Sequence, residues 1–154
     1  MIARDFREAR QHLNQWVEER SRTAGEFATI LRISEVEYRA DPLVLIEPLQ
    51  SYVSRLPLEE FEVADWNTLH NDLASYLADL LIRRDQGSWT VVEDSTSPVG
   101  YRYLIEARGK DGLIRTVDPY DVAYEEFAFP PIQVLRMIVN AETVIEAEPP
   151  TLDV

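Results

Sequence analysis

The chain has 154 residues, 45% hydrophobic and 10% aromatic, which is too apolar for a disordered protein and sufficient for one substantial core. It contains no cysteine, which excludes disulfides and thiolate metal sites and makes a reducing cytoplasm the simplest compartment. The formal net charge of −13 opposes binding to nucleic acid, and no apolar run approaches the length of a membrane span.

Apolar residues at helical spacing predict four helices in the N-terminal half. The first covers residues 2–20, where apolar side chains recur at alternating steps of four and three. The second begins at a capping box formed by Thr23 and Glu26 and ends near Tyr38. Its inward residues are expected to be Phe27, Ile30, Leu31 and Ser34.

The next two helices have clearer start signals. Asp41 precedes a proline and predicts the start of the third helix, although Pro48 either kinks that helix or moves its start. Asp65 is expected to cap the fourth helix, which has the clearest apolar stripe. Arg83 and Arg84 suit its C-terminus.

Beyond Gly87 the hydrophobic period changes from about 3.6 residues to 2. Residues 89–93, 101–107 and 113–117 predict three strands, and an Asp-Gly pair at 111–112 predicts a hairpin turn between the last two. Two helices follow, one over residues 118–127 and one that opens at residues 130–131.

These elements predict an α+β fold with N-terminal helices, a three-stranded antiparallel meander, and C-terminal helices packed on one sheet face. Residues 1–145 are expected to form a single domain, and residues 146–154 a frayed C-terminal tail. A single meander leaves edge strands, so a homodimer that closes an edge is a further expectation.

The acidic charge is concentrated in two segments. Residues 35–79 hold ten acidic residues and two Arg, and residues 118–154 hold eight acidic residues and one Arg. Each of the two remaining segments has a net charge of +1. Such a distribution affects solubility and the steering of basic partners. Fourteen of the fifteen basic residues are Arg, a bias that suggests a bacterial genome of high GC content.

No catalytic or cofactor motif accompanies these elements. His12 and His70 each flank an apolar helix stripe, and the local sequence supplies neither a nucleophile nor a set of zinc ligands. We therefore predict no catalytic residue, cofactor or metal site. The alternative is an enzyme or small-ligand binder whose site joins His70 or His12 to Tyr101, Arg115 and a carboxylate from distant parts of the chain.

Binding to DNA or RNA is also not expected. Tyr101 and Tyr103 share one face of the second predicted strand, where they are interpreted as core packing rather than as a platform for bases. Arg83, Arg84 and Arg102 would make only a small basic spot in a strongly negative field. Because phosphate neutralisation supplies most non-specific affinity, we predict no binding at physiological salt.

The segment from Leu73 to Val139 combines three motifs. An amphipathic helix ends just before a Gly-x-Trp strand start at Gly87, short antiparallel strands follow, and an Arg-x-Val-Asp-Pro motif from Arg115 to Pro119 leads back into helix. This order resembles small bacterial domains of unknown function, several of which are associated with polymorphic toxin systems as immunity proteins. The resemblance implies a protein-binding role and transfers no functional residue.

The leading functional hypothesis is a non-enzymatic, acidic protein-binding module of the immunity or inhibitor kind. Opposite charge raises association rates by about 10–1000-fold, and salt weakens this effect. A chaperone or adaptor with an apolar groove is the alternative within the same class, and its binding should depend little on salt. The residues predicted to contact a basic protein partner are Glu59, Glu60, Glu62, Asp121, Glu125 and Glu126.

Overall fold

The structure, a computed structural model, describes residues 4–147. Ile2, which opens the first predicted stripe, and residues 148–154 of the predicted tail lie outside the described residues. The helices are α1 (Arg4–Gln11), α2 (Leu13–Ile30), α3 (Glu35–Ala40), α4 (Ile46–Ser54), α5 (Val63–Asp85), α6 (Pro119–Phe127) and α7 (Val134–Val144). The strands are β1 (Ser88–Glu93), β2 (Tyr101–Arg108) and β3 (Ile114–Val117), and 3₁₀ turns cover Pro42–Leu45 and Leu58–Glu60.

The α+β prediction is confirmed. The sheet has the order β1-β2-β3 with antiparallel pairing throughout, and both N-terminal and C-terminal helices pack on it. Trp89 lies opposite Ile105, and Ile105 lies opposite Val117. All three side chains are buried against the helices. Both outer strands remain edges of this sheet, and the expected homodimer stays a prediction.

The N-terminal helices have other boundaries than predicted. A break at His12, whose backbone has φ −106° and ψ 19°, divides the first predicted helix. The ring Nδ1 of His12 lies 2.8 Å from the Glu8 carbonyl oxygen, which also accepts the backbone N–H of His12. Thr23 caps no helix, since its hydroxyl donates to the Glu19 carbonyl within α2 at 2.9 Å. Ser34 does not face inward but caps α3.

Helix α5 is the longest helix described and the centre of the core. Glu62, not Asp65, is its N-cap residue, and Asp65 completes the capping box by accepting the Glu62 backbone N–H at 3.0 Å. Gln86 ends the helix with a left-handed conformation. A Cβ on Gly87 would lie 2.9 Å from Cγ2 of Ile105, so glycine allows the chain to enter β1 close against β2.

Buried carboxylates within the described core are matched with arginine. Asp79 accepts hydrogen bonds from the Tyr38 hydroxyl at 2.6 Å and from Arg83 Nε at 2.9 Å. Burial, followed by the negative charge of Asp79, raises the pKa of Tyr38 far above its ordinary value, so its hydroxyl stays protonated as the donor. A buried charge is tolerated when it is paired and hydrogen-bonded in this way.

The start of the predicted tail is attached to the sheet. The backbone N–H of Lys110, in the β2–β3 hairpin, donates to the carbonyl of Glu146 at 3.0 Å, and the N–H of Ala147 donates to the carbonyl of Glu142 at 2.9 Å. Residues 146 and 147 are therefore ordered parts of the fold. Within residues 4–147, none of the helices combines the length and the apolar character needed to cross a membrane.

Candidate docking surface

The structure brings the two acidic segments together where α5 and α6 pack side by side. The ring of Trp66, near the start of α5, lies 5.1 Å from the ring of Phe127 at the end of α6. One turn further along α5, the ring centroid of His70 lies 5.4 Å from that of Tyr120 at the start of α6. The two helices are therefore antiparallel, and the end of α6 lies beside the chain that enters α5.

Four of the six predicted partner-binding carboxylates are exposed in this region. Glu59 and Glu60 lie on the 3₁₀ turn Leu58–Glu60, Glu62 lies at the start of α5, and Glu125 lies on the outer part of α6. None of the four forms an ion pair within residues 4–147. Their negative charge is thus directed to solvent and available to a partner.

Large apolar side chains are exposed among these carboxylates. Val63, Tyr124 and Phe129 are 76%, 67% and 68% exposed, respectively. Aromatic anchors surrounded by polar groups are the usual composition of a protein-binding surface. We call this region the candidate docking surface, and it comprises Glu59, Glu60, Glu62, Val63, Tyr124, Glu125 and Phe129.

Glu126 does not belong to the candidate docking surface, and its prediction as a contact residue is corrected. It is only 3% exposed. Its carboxylate accepts two hydrogen bonds from Arg136, from Nε at 3.0 Å and from Nη2 at 2.5 Å, and a third from the backbone N–H of Gln133 at 2.9 Å. Arg136 also donates to the carbonyls of Phe129 and Pro131. This cluster fixes the connection between α6 and α7.

Asp121 is exposed but lies in a separate group of charges at the start of α6. Its carboxylate is 3.0 Å from Nη2 of Arg102, which also pairs with Asp118 at 3.4 Å and with Asp94 at 3.3 Å. Burial, followed by the nearby charge of Asp121, raises the pKa of Asp118, which caps α6. The basic spot expected around Arg102 is therefore surrounded by carboxylates.

A groove with an apolar floor opens beside Glu59 and Glu60. Its volume is about 460 Å³, and it lies between the end of α4, the 3₁₀ turn Leu58–Glu60 and the connection that leads to α7. Val53 and Ile132 form its floor and are nearly inaccessible to solvent. The groove therefore extends the candidate docking surface with an apolar recess.

The predicted histidine-centred alternative is only partly assembled. His70 Nε2 lies 2.7 Å from the carbonyl oxygen of Tyr120, so this nitrogen carries the hydrogen and the ring links α5 to α6. Arg115 is bound to Asp111 in the β2–β3 hairpin by two hydrogen bonds of 2.8 and 2.6 Å. His12 and Tyr101 do line one open depression of about 420 Å³ with Asp5 and Glu8.

The hydrogen bond of His12 decides how this depression is interpreted. The ring of His12 is bonded to a backbone carbonyl rather than to an orienting carboxylate, whereas a catalytic base needs a partner at hydrogen-bond distance. Within residues 4–147, no three His, Asp or Glu side chains are grouped as ligands for a metal ion. Among the described residues, the two histidines therefore lack the carboxylate partner that the histidine-centred alternative requires.

No protein-family model matches this chain, and comparison with curated proteins and with solved structures finds no significant match. The resemblance of residues 73–139 to immunity-like domains is consequently carried by its motifs alone.

Sequence reasoning missed a polar and aromatic network that holds α6 in place. The guanidinium of Arg20 lies 4.5 Å from the Trp16 ring and donates to Asn71 at 2.6 Å and to the Tyr120 hydroxyl at 3.0 Å. Trp16 in turn stacks on Tyr103 of the sheet, with ring centroids 3.7 Å apart. The spacing of four residues between Trp16 and Arg20 was a visible signal, but their distant partners were not.

It also missed a pair of carboxyl groups where α5 and α7 meet. Glu142 is fully buried, with Oε1 3.2 Å from Nε of Arg84. Burial, followed by the charge of Asp85, raises the pKa of Glu142 to about 7. Burial likewise raises the pKa of Asp85, whose Oδ2 is buried without a hydrogen-bond partner. Both carboxyl groups therefore have a raised pKa, and the pKa of Glu142 lies near neutral pH.

Proposed function

We propose that this chain is a non-enzymatic protein-binding module whose candidate docking surface binds a basic protein. The observation that carries the proposal is that four exposed carboxylates without an ion pair among the described residues, and three exposed apolar side chains, lie on or next to the start of α5 and the end of α6, which pack together. The carboxylates attract a basic partner and orient its approach, and Tyr124 and Phe129 supply the apolar area that holds the complex.

An immunity or inhibitor role is the specific form of this proposal. A protein of this kind covers a basic surface of a toxin or enzyme, and it needs fast association with a rigid scaffold. The network around Arg20 and the cluster around Glu126 supply rigidity on both sides of α6. The resemblance of residues 73–139 to immunity-like domains supports the same role.

The test compares two charge-reversed variants of equal net charge. The first carries Glu59→Arg, Glu60→Arg and Glu125→Arg on the candidate docking surface. The control carries Glu18→Arg, Glu47→Arg and Glu93→Arg, which are exposed residues outside that surface.

Affinity capture from the native cell at about 50 mM salt should return the same basic protein with the wild type and the control, but not with the docking-surface variant. Association of that protein should slow at least about tenfold between about 50 and 500 mM salt. Equal capture by both variants would contradict the proposal.

A chaperone or adaptor function is the second candidate because the groove beside Glu59 has an apolar floor. A client held only by this floor would bind equally well at low and high salt, since apolar burial does not rely on opposite charges. The same salt series therefore separates the two functions.

A further inference from the structure

The groove beside Glu59 and Glu60 is preformed. The side-chain amide of Gln50 donates to the carbonyl of Ile132 at 2.9 Å and accepts the backbone N–H of Val134 at 2.8 Å. Nη2 of Arg136 donates a hydrogen bond to the carbonyl of Pro131, another lining residue, at 3.2 Å. A recess whose walls are already bonded loses little conformational freedom when a ligand enters it.

The chemistry of the groove changes from floor to rim. Val53 and Ile132 at the floor are 2% and 4% exposed, and Leu56 and Leu58 are partly buried beside them. Glu59 and Glu60 are the charged residues of the lining, and no Arg or Lys of residues 4–147 lines the groove. The recess thus combines an apolar interior with an anionic edge.

Such a recess is complementary to a side chain with an apolar stem and a cationic end. Arginine has three methylene groups that pack on apolar surface, and its planar guanidinium donates to two carboxylate oxygens at once. The volume of about 460 Å³ falls in the range of sites that enclose a small ligand or a few side chains.

We propose that this groove receives an arginine side chain and its flanking apolar residues from a docking segment of the partner. The proposal rests on the proposed function and names the partner chemistry at one part of the same surface. A second copy of this chain is a poorer occupant, because the formal net charge of −13 makes two copies repel each other.

The test uses a blocked synthetic peptide, acetyl-Leu-Arg-Leu-Arg-Leu-amide, titrated into the ¹⁵N-labelled chain while amide chemical shifts are recorded. The comparison peptide replaces both arginines by citrulline, which keeps the shape of the side chain and removes its charge. The arginine peptide should shift the amides of Val53, Leu58 and Ile132, and the citrulline peptide should bind at least about tenfold more weakly.

Matched variants locate the interaction. The double variant Glu59→Gln with Glu60→Gln should bind the arginine peptide about five- to tenfold more weakly than the wild type. The control variant Glu18→Gln with Glu47→Gln should bind it with unchanged affinity. Equal affinity for the citrulline peptide would overturn the proposal in favour of a purely apolar groove. Shifts that map elsewhere, or that grow with protein concentration in the absence of peptide, would also overturn it.

Protein capture distinguishes this failure from failure of the proposed function. If the variant Glu59→Gln with Glu60→Gln still captures the basic partner but the variant Glu125→Arg does not, the groove proposal is wrong and the proposed function stands. If neither change affects capture, the proposed function itself is wrong.

Discussion

Two buried glutamates near the C-terminal helices pair with arginine in different ways. Glu126 accepts hydrogen bonds from Arg136 and from a backbone N–H, so its oxygens are fully satisfied. Glu142 meets Arg84 at a longer distance and also faces a second carboxyl group, Asp85. The comparison shows that a buried acid becomes a fixed structural tie or a titrating group according to what else surrounds it.

Removing the fixed tie should have the largest effect. Glu126→Ala leaves the Gln133 backbone N–H and the inner side of Arg136 without their partner. It should lower the free energy of unfolding by about 3 kcal/mol, as measured by urea denaturation. Glu125→Ala, the exposed neighbour on the same helix, is the control and should stay within about 0.5 kcal/mol of the wild type. If both variants lose the same free energy of unfolding, the hydrogen bonds of Glu126 do not stabilise the connection between α6 and α7.

The titrating group should make stability depend on pH. Because the folded pKa of Glu142 is raised to about 7 from an ordinary 4.5, this group's contribution is fully present below about pH 4.5 and is lost as pH rises to about 7. The loss should be about 2–3 kcal/mol. In Glu142→Gln this part of the pH dependence should vanish in urea denaturation from pH 5 to 8. A variant with the wild-type slope would refute the assignment.

The neighbouring carboxyl group should tune that titration. Asp85→Asn removes the nearby negative charge and should lower the pKa of Glu142 from about 7 by roughly one unit. The carboxyl ¹³C shift of Glu142 followed by NMR gives the pKa directly. Asp111→Asn, in the β2–β3 hairpin, is a control at an exposed carboxylate and should leave this titration unchanged.

An exposed ion pair should matter least. Asp121→Ala removes one of three carboxylates around Arg102. Because both partners are solvated and Arg102 keeps the other two, the free energy of unfolding should change by less than about 0.5 kcal/mol. A loss above about 1 kcal/mol in urea denaturation would mean that this network is as structural as the one around Glu126.

The degree to which the fold could be predicted depended on how local its signals were. The limits of α6 agree with the prediction because Asp118 and Pro119 mark its start within the sequence itself. The strands agree within about a residue because their period of two is local too. The bounds of the first two predicted helices were wrong because Thr23 and Ser34 each allow two local hydrogen-bond patterns, and packing decides between them.

The candidate site was harder to predict because its contacts are distant in sequence. Glu125 and Glu126 are adjacent acids, yet one is exposed and the other is buried by Arg136, ten residues away. The fact that Arg136 is the one cation of residues 118–154 was the available signal. Arg84 and Glu142 are 58 residues apart, and no local pattern reveals such a pair.

The placement of the three tryptophans gives the protein its own optical reporters. Trp16 and Trp89 lie 5.5 Å apart at a right angle on the sheet side, whereas Trp66 lies beside Phe127 next to the candidate docking surface. The double variant Trp16→Phe with Trp89→Phe would leave Trp66 as the single tryptophan, beside the surface where a partner is expected to bind. Its intrinsic fluorescence would then follow binding without any attached dye.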